Sequence, residues 1–190
     1  MDTGRRQFLR GAALTREGRA RAARLQSPLG PAPPWMPDLL QRNGCGGCDQ
    51  VCASACEQDI IRFHPREHAL AGFPYLAFSD AGCTLCGDCA EACPLDVSKD
   101  GSVPRLGRAQ LERGRCLAWH DVICMSCVTA CQVRALVRNP HSCRIAVAAD
   151  RCHGCGMCVG VCPVDALAVM PDLSLWKRER GDAQENRPNV

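Results

Sequence analysis

The sequence predicts a small α+β fold of two tandem units with a metal-stabilised core, and three observations carry that expectation. Apolar bulk is scarce, since Leu, Ile, Val and Phe number 38 of 190 residues, close to the level at which burial alone struggles to build a core. There are 17 cysteines, most of them two or three residues apart. An odd number cannot pair completely, and such close neighbours are poorly placed for loop-closing disulfides, so ligation in a reducing compartment is favoured. The cysteines also fall into four bursts, with short strand candidates between the first and second and between the third and fourth.

Residues 1–27 read as a basic, flexible leader, with a net charge of +5 over residues 1–26 against −2 for the rest of the chain. Gly4, Gly11 and Gly18 interrupt it, which disfavours a stable isolated helix. Residues 28–43 are a Pro-rich linker or docking strap, with five prolines between Pro28 and Pro37. The first unit is expected over 44–101 and the second over 102–171, followed by a polar, disordered tail over 172–190. Ile60–Phe63 with Pro74–Phe78, and Ala135–Val137 with Arg144–Val147, read as the hairpin strands. Asp96–Arg115 reads as the joint, within which Arg108–Arg113 is compatible with one helical turn.

The cysteine spacing carries the chemistry. Burst two (Cys83, Cys86, Cys89, Cys93-Pro94) and burst four (Cys152, Cys155, Cys158, Cys162-Pro163) match the bacterial ferredoxin run, in which three thiolates hold one 4Fe-4S cubane and the fourth reaches the neighbouring one. The fold is therefore read as ferredoxin-like, with two di-cluster units. Burst three (Cys116, Cys124, Cys127, Cys131) widens its first gap to seven residues and has Gln132 in place of proline. Burst one (Cys45, Cys48, Cys52, Cys56) has one residue more than expected before Cys52, so its cluster is expected to be the most labile. Zinc ribbons need only paired knuckles, and these bursts exceed what one tetrahedral ion requires.

The crossover predicts four ligand sets: Cys45, Cys48, Cys52 with Cys93; Cys83, Cys86, Cys89 with Cys56; Cys116, Cys124, Cys127 with Cys162; and Cys152, Cys155, Cys158 with Cys131. The alternative joins burst one to four and two to three. Cys143 belongs to no burst; it is expected to be a free, partly buried thiol, with a redox thiol or spare ligand as the alternative. His153 and Met157 read as spacers that could tune a cluster, and Trp35 as packed against the domain rather than as an interface anchor.

With these residues in place, the chain resembles the ferredoxin-type NapF family associated with periplasmic nitrate reductases, over about residues 5–170. Arg5-Arg6, Pro33-Pro34-Trp35, the seven-residue gap from Cys116 to Cys124 and Cys162-Pro163-Val164-Asp165 carry the likeness. The resemblance implies a cytoplasmic, multi-cluster iron–sulfur accessory that binds the molybdenum-containing catalytic subunit and assists its maturation before export. The alternative is an electron-transfer polyferredoxin or respiratory subunit. Arg5-Arg6-Gln7-Phe8-Leu9 looks like a twin-arginine signal, but no apolar segment follows, so retention in the cytoplasm is expected. No nucleophile triad, Walker loop or dinucleotide fingerprint is present, and no enzymatic activity, nucleic-acid binding or membrane span is expected.

Overall fold

A computed structural model describes residues 15, 19–20, 25–36, 45, 48–95, 97 and 101–173. Arg5-Arg6, nearly all of the leader, linker residues 37–43 and tail residues 174–190 lie outside them. The elements are short: α1 (Val51–Ser54), β1 (Ile61–Phe63), β2 (Pro74–Leu76), α2 (Asp88–Glu91), β3 (Gly107–Leu111), a 3-10 turn (Leu117–His120), α3 (Ser126–Ala130), β4 (Leu136–Arg138), β5 (Ile145–Val147), α4 (Met157–Gly160) and β6 (Leu167–Pro171). Each of these four helices is a single turn carrying a cysteine from its burst. None among the described residues is long and apolar enough to cross a membrane.

The described residues form three antiparallel two-stranded sheets. β1 pairs β2 with Ile61 opposite Leu76, β4 pairs β5 with Leu136 opposite Val147, and β3 pairs β6 from Gly107–Pro171 to Leu111–Leu167. The first two are the expected hairpins. The third corrects the helical turn considered for Arg108–Arg113: Gly107–Leu111 is a strand with alternating burial that ties the start of the second half to its end.

The core is shared between aliphatic side chains and thiols. One cluster gathers Met36, Ile60, Ile61, Leu76 and Leu106 with Cys52 and Cys89, and a second gathers Ala118, Leu136, Ile145, Ala166 and Leu167 with Cys116, Cys127 and Cys158. Six of the 21 buried apolar residues are cysteines, so a large share of the interior consists of potential ligands.

The halves meet through their second and fourth cysteine bursts. Cys83 N–H donates to the Cys155 carbonyl at 2.7 Å. The approach is close enough to require glycine: a Cβ on Gly82 would lie 2.8 Å from the Cys155 oxygen, and one on Gly160 would lie 2.7 Å from the Asp80 oxygen.

The proline segment is a packed strap. Pro31, Ala32, Pro33 and Met36 are buried, the Pro31 carbonyl accepts from Leu76 N–H at 2.7 Å, and Trp35 is half-buried. Two buried histidines hold it. His64 Nε2 accepts from Leu29 N–H at 3.2 Å, which leaves Nδ1 to donate to the Phe73 carbonyl at 2.8 Å. His68 Nδ1 accepts from Leu70 N–H at 3.0 Å, and its Nε2 donates to the Ser27 carbonyl at 2.9 Å. The rings lie 4.5 Å apart, and that of Tyr75 lies 4.7 Å from His64. A second proton on either imidazole removes an acceptor and places charge against its neighbour.

Burial, then the neighbouring His68, hold His64 below its ordinary value, against the opposing pull of the Phe73 carbonyl. A depressed histidine leaves the folded strap with fewer protons than the unfolded segment, so its contribution is present above about pH 6.5 and lost as pH falls. Amide exchange at Leu29 and Leu76, corrected for intrinsic rates, is expected to lose protection at pH 5 relative to pH 7.5. Equal protection at both values would show that the histidines do not gate the strap.

Candidate metal centre

The structure gathers sixteen of the seventeen cysteines into four cavities. Cys45, Cys48, Cys52 and Cys93 line the first, with Met36, Phe63 and Pro74. The second is lined by Cys56, Cys83, Cys86 and Cys89 beside Ile60, Ile61 and Glu57. Cys116, Cys124, Cys127 and Cys162 line the third, with Leu111, Ile145 and Leu167. The fourth is lined by Cys131, Cys152, Cys155 and Cys158 with Ala109, His153, Met157 and Val169. Each cavity thus takes three cysteines from one burst and one from its partner in the same half; the alternative joining bursts one with four and two with three is not what the chain assembles.

Local backbone explains how the bursts converge. The residue two before the third cysteine of bursts one, two and four is left-handed: Gln50 at φ 59°, Gly87 at φ 92° and Gly156 at φ 79°. Burst one accommodates its extra residue, Asp49, while keeping this turn, but places a glutamine where glycine costs least. The residue three after the fourth cysteine is also left-handed at Asp59, Arg134 and Asp165. Cys131 and Cys162 accept N–H bonds from Ala135 at 3.1 Å and Ala166 at 3.2 Å, so Gln132 serves the turn as Pro163 does. Further N–H donors reach sulfur from Leu85 to Cys83 and from Ala109 to Cys152, both at 3.4 Å.

The seven-residue gap of burst three folds as the 3-10 turn. Trp119 pins it by donating from Nε1 to the Ile145 carbonyl at 3.1 Å, with the Arg113 and Arg144 guanidiniums 4.5 and 5.0 Å from its ring. Cys143 lines none of the four cavities; it is half-buried in the β4–β5 turn, 4.0 Å from an Arg138 nitrogen. His153 and Met157 line the fourth cavity, so they are more than spacers between ligands.

Burial, then the neighbouring thiols, push Cys89 and Cys158 up to about 12. Burial likewise leads in raising Cys45, Cys83 and Cys127 to about 11, and it raises Cys52 and Cys155. Four thiolates in one such cavity require compensating positive charge, which iron supplies, and loading releases the thiol protons; uptake therefore improves as pH rises. Sulfurs around one tetrahedral zinc stand only about 3.8 Å apart, given a Zn–S length of about 2.3 Å. Among the described residues no three His, Cys, Asp or Glu side chains converge on a single ion. Four thiols spread around an apolar cavity suit a group that presents one iron to each.

Sequence reasoning missed the contact between bursts two and four. It extends the sites into a row: Cys52 and Cys89 interact across the first pair, Cys83 and Cys155 join the halves, and Cys127 and Cys158 interact across the last pair. The available signal was small, consisting of Gly82 and Gly160 at positions where the halves press together.

Gln50→Gly is expected to stabilise the holoprotein by about 0.5–1 kcal/mol through relief of the left-handed residue, a Tm rise of roughly 2–4 °C, with slower chelator-driven iron loss. No gain in Tm would mean that the extra residue in burst one is unstrained.

Comparison with known proteins agrees with this donor set. The family described as a 4Fe-4S dicluster domain matches residues 44–97, and that described as a 4Fe-4S binding domain matches residues 145–168. The chain is 33% identical over 145 residues to the ferredoxin-type protein NapF of Escherichia coli strain K12, covering 72% of this chain and 82% of that protein. It is 32% identical over 209 aligned positions to the ferredoxin-type protein NapG of the same strain, covering 94% and 90%. It is also 28% identical over 152 residues to the thiosulfate reductase electron transfer subunit PhsB of Salmonella typhi, covering 68% and 72%. The cofactors are 4Fe-4S clusters, and sixteen cysteines are consistent with four of them.

Proposed function

The chain belongs to the ferredoxin-type 4Fe-4S proteins related to NapF and NapG, and from that premise we propose that it is a four-cluster redox accessory of a molybdenum-containing periplasmic nitrate reductase, acting on the catalytic subunit in the cytoplasm before export. The ligands in this reading are Cys45, Cys48, Cys52 and Cys93; Cys56, Cys83, Cys86 and Cys89; Cys116, Cys124, Cys127 and Cys162; and Cys131, Cys152, Cys155 and Cys158. The units are 44–101 and 102–171. Near-equal identity to NapF and NapG leaves the subfamily to the residues, and the seven-residue gap from Cys116 to Cys124 supports the NapF-like reading.

The observation that carries the proposal is the row of four cysteine groups joined across the Cys83–Cys155 hydrogen bond. The clusters supply one-electron storage when bound. The chain holds them in apolar cavities, aims backbone N–H groups at sulfur and presses the inner cavities together. Such continuity favours redox support over donation of clusters to the partner. The second reading is an electron-transfer subunit of another respiratory chain, favoured by the likeness to PhsB, which is named as an electron transfer subunit.

Because residues 25–36 belong to the fold, deletion of residues 1–24 is the clean test of the leader. Anaerobic co-expression with the catalytic subunit is expected to give about sixteen irons per chain, four for each cubane, and co-elution of the two proteins. Loss of co-elution on deleting 1–24, with iron retained, assigns docking to the leader. Full iron without co-elution of the intact chain would transfer the function to the second reading, and eight irons or fewer would remove the four-cluster assignment.

A further inference from the structure

The two halves carry opposite charge. Residues 44–101 contain nine carboxylates against three Lys and Arg, a net of −6, whereas residues 102–171 contain four against eight, a net of +4. The acids reach the first half's cysteines: Glu57 lines the cavity of Cys56, Cys83, Cys86 and Cys89, and Asp88 and Glu91 lie on the helix that carries Cys89. In the second half Arg134 and Arg151 stand within three residues of Cys131 and next to Cys152. Arg113 and Arg144 cover Trp119 in the turn between Cys116 and Cys124. No carboxylate lines either cavity of the second half among the described residues.

Hydrogen bonding follows the same division. Backbone N–H donors directed at sulfur reach Cys131, Cys152, Cys155 and Cys162 in the second half, from Ala135, Ala109, Met157 and Ala166, against Cys52 and Cys83 in the first, from Ala53 and Leu85. Reduction adds negative charge to a cluster, so nearby cations and N–H donors raise its potential and nearby carboxylates lower it. Exposure of Cys86 admits water to the second cavity and acts in the opposite direction. A ten-charge difference between halves and the additional sulfur donors outweigh that single exposed thiolate.

We propose that electrons run from the acidic half to the basic half: in at the Cys45 group, across the Cys83–Cys155 contact, and out from the group of Cys116, Cys124, Cys127 and Cys162. This rests on the four-cluster reading above. Each step moves one electron and makes or breaks no bond; the electron is supplied by a low-potential one-electron donor and taken by a one-electron acceptor protein. Ile123, 78% exposed beside Cys124, brings the outlet to the surface.

The test is a potentiometric titration of the full-length holoprotein followed by electron paramagnetic resonance, with iron measured on the same samples. Arg134→Glu with Arg151→Glu is expected to lower the midpoints of the more easily reduced clusters and spare the others. Glu57→Lys with Glu91→Lys is expected to raise the less easily reduced ones. The separation between the two sets is expected to narrow from about 0.01 M to 1 M salt, where the screening length falls from about 30 to 3 Å. If the arginine variant instead lowers the harder-to-reduce set, or if neither variant moves a midpoint, the direction is overturned. Wild-type iron well below sixteen per chain would overturn the underlying four-cluster reading; sixteen irons with the reversed response would overturn the direction alone.

Discussion

Thiolates buried in a group need a cation among them, and the rest of this structure follows from that requirement. Cys89 and Cys158, pushed up to about 12 by burial and neighbouring thiols, keep their protons in a metal-free cavity and give them up when iron binds. The chain has few large aliphatic residues and places cysteines where a larger domain would place leucine or isoleucine. The helices that carry its cysteines are single turns and the described sheets are single ribbons, too short to be stable alone in water. Ligation provides the cross-links that such elements lack.

From this constraint the architecture follows outward. Each cavity draws its fourth cysteine from the partner burst, so the two bursts of a half are bound to each other and the intervening hairpin is closed between them. In the second half, β3 and β6 close the ends as well. In the first, the strap of residues 25–36 lies against β2, held by His64 and His68. Glycines at 82 and 160 then let the halves approach to backbone contact. The result is a row of sites with acidic residues concentrated in one half and basic residues in the other.

The local and repetitive features were legible in the sequence. Cysteine spacing led to four-cysteine groups, and apolar runs bounded by turn residues led to the two hairpins, because both depend on neighbours a few residues apart. Features that depend on distant partners were not. Gly107–Leu111 has no short-range signal separating a strand from a turn; pairing with Leu167–Pro171 makes it a strand. The prolines read equally well as linker or strap, and only the histidines, some 35 to 41 residues away, decide between them. The contact of Cys83 with Cys155 spans 72 residues. The charge division was present in the composition but disappears when the whole chain is summed to +3.

The most direct test of the claim that ligation holds the fold is hydrogen exchange across the full-length protein, before and after anaerobic removal of iron by a chelator. Protection in α1 to α4 and in the β3–β6 ribbon is predicted to be lost together with the iron. An iron-free chain that keeps its amide protection would contradict that claim and return the stability to the aliphatic core.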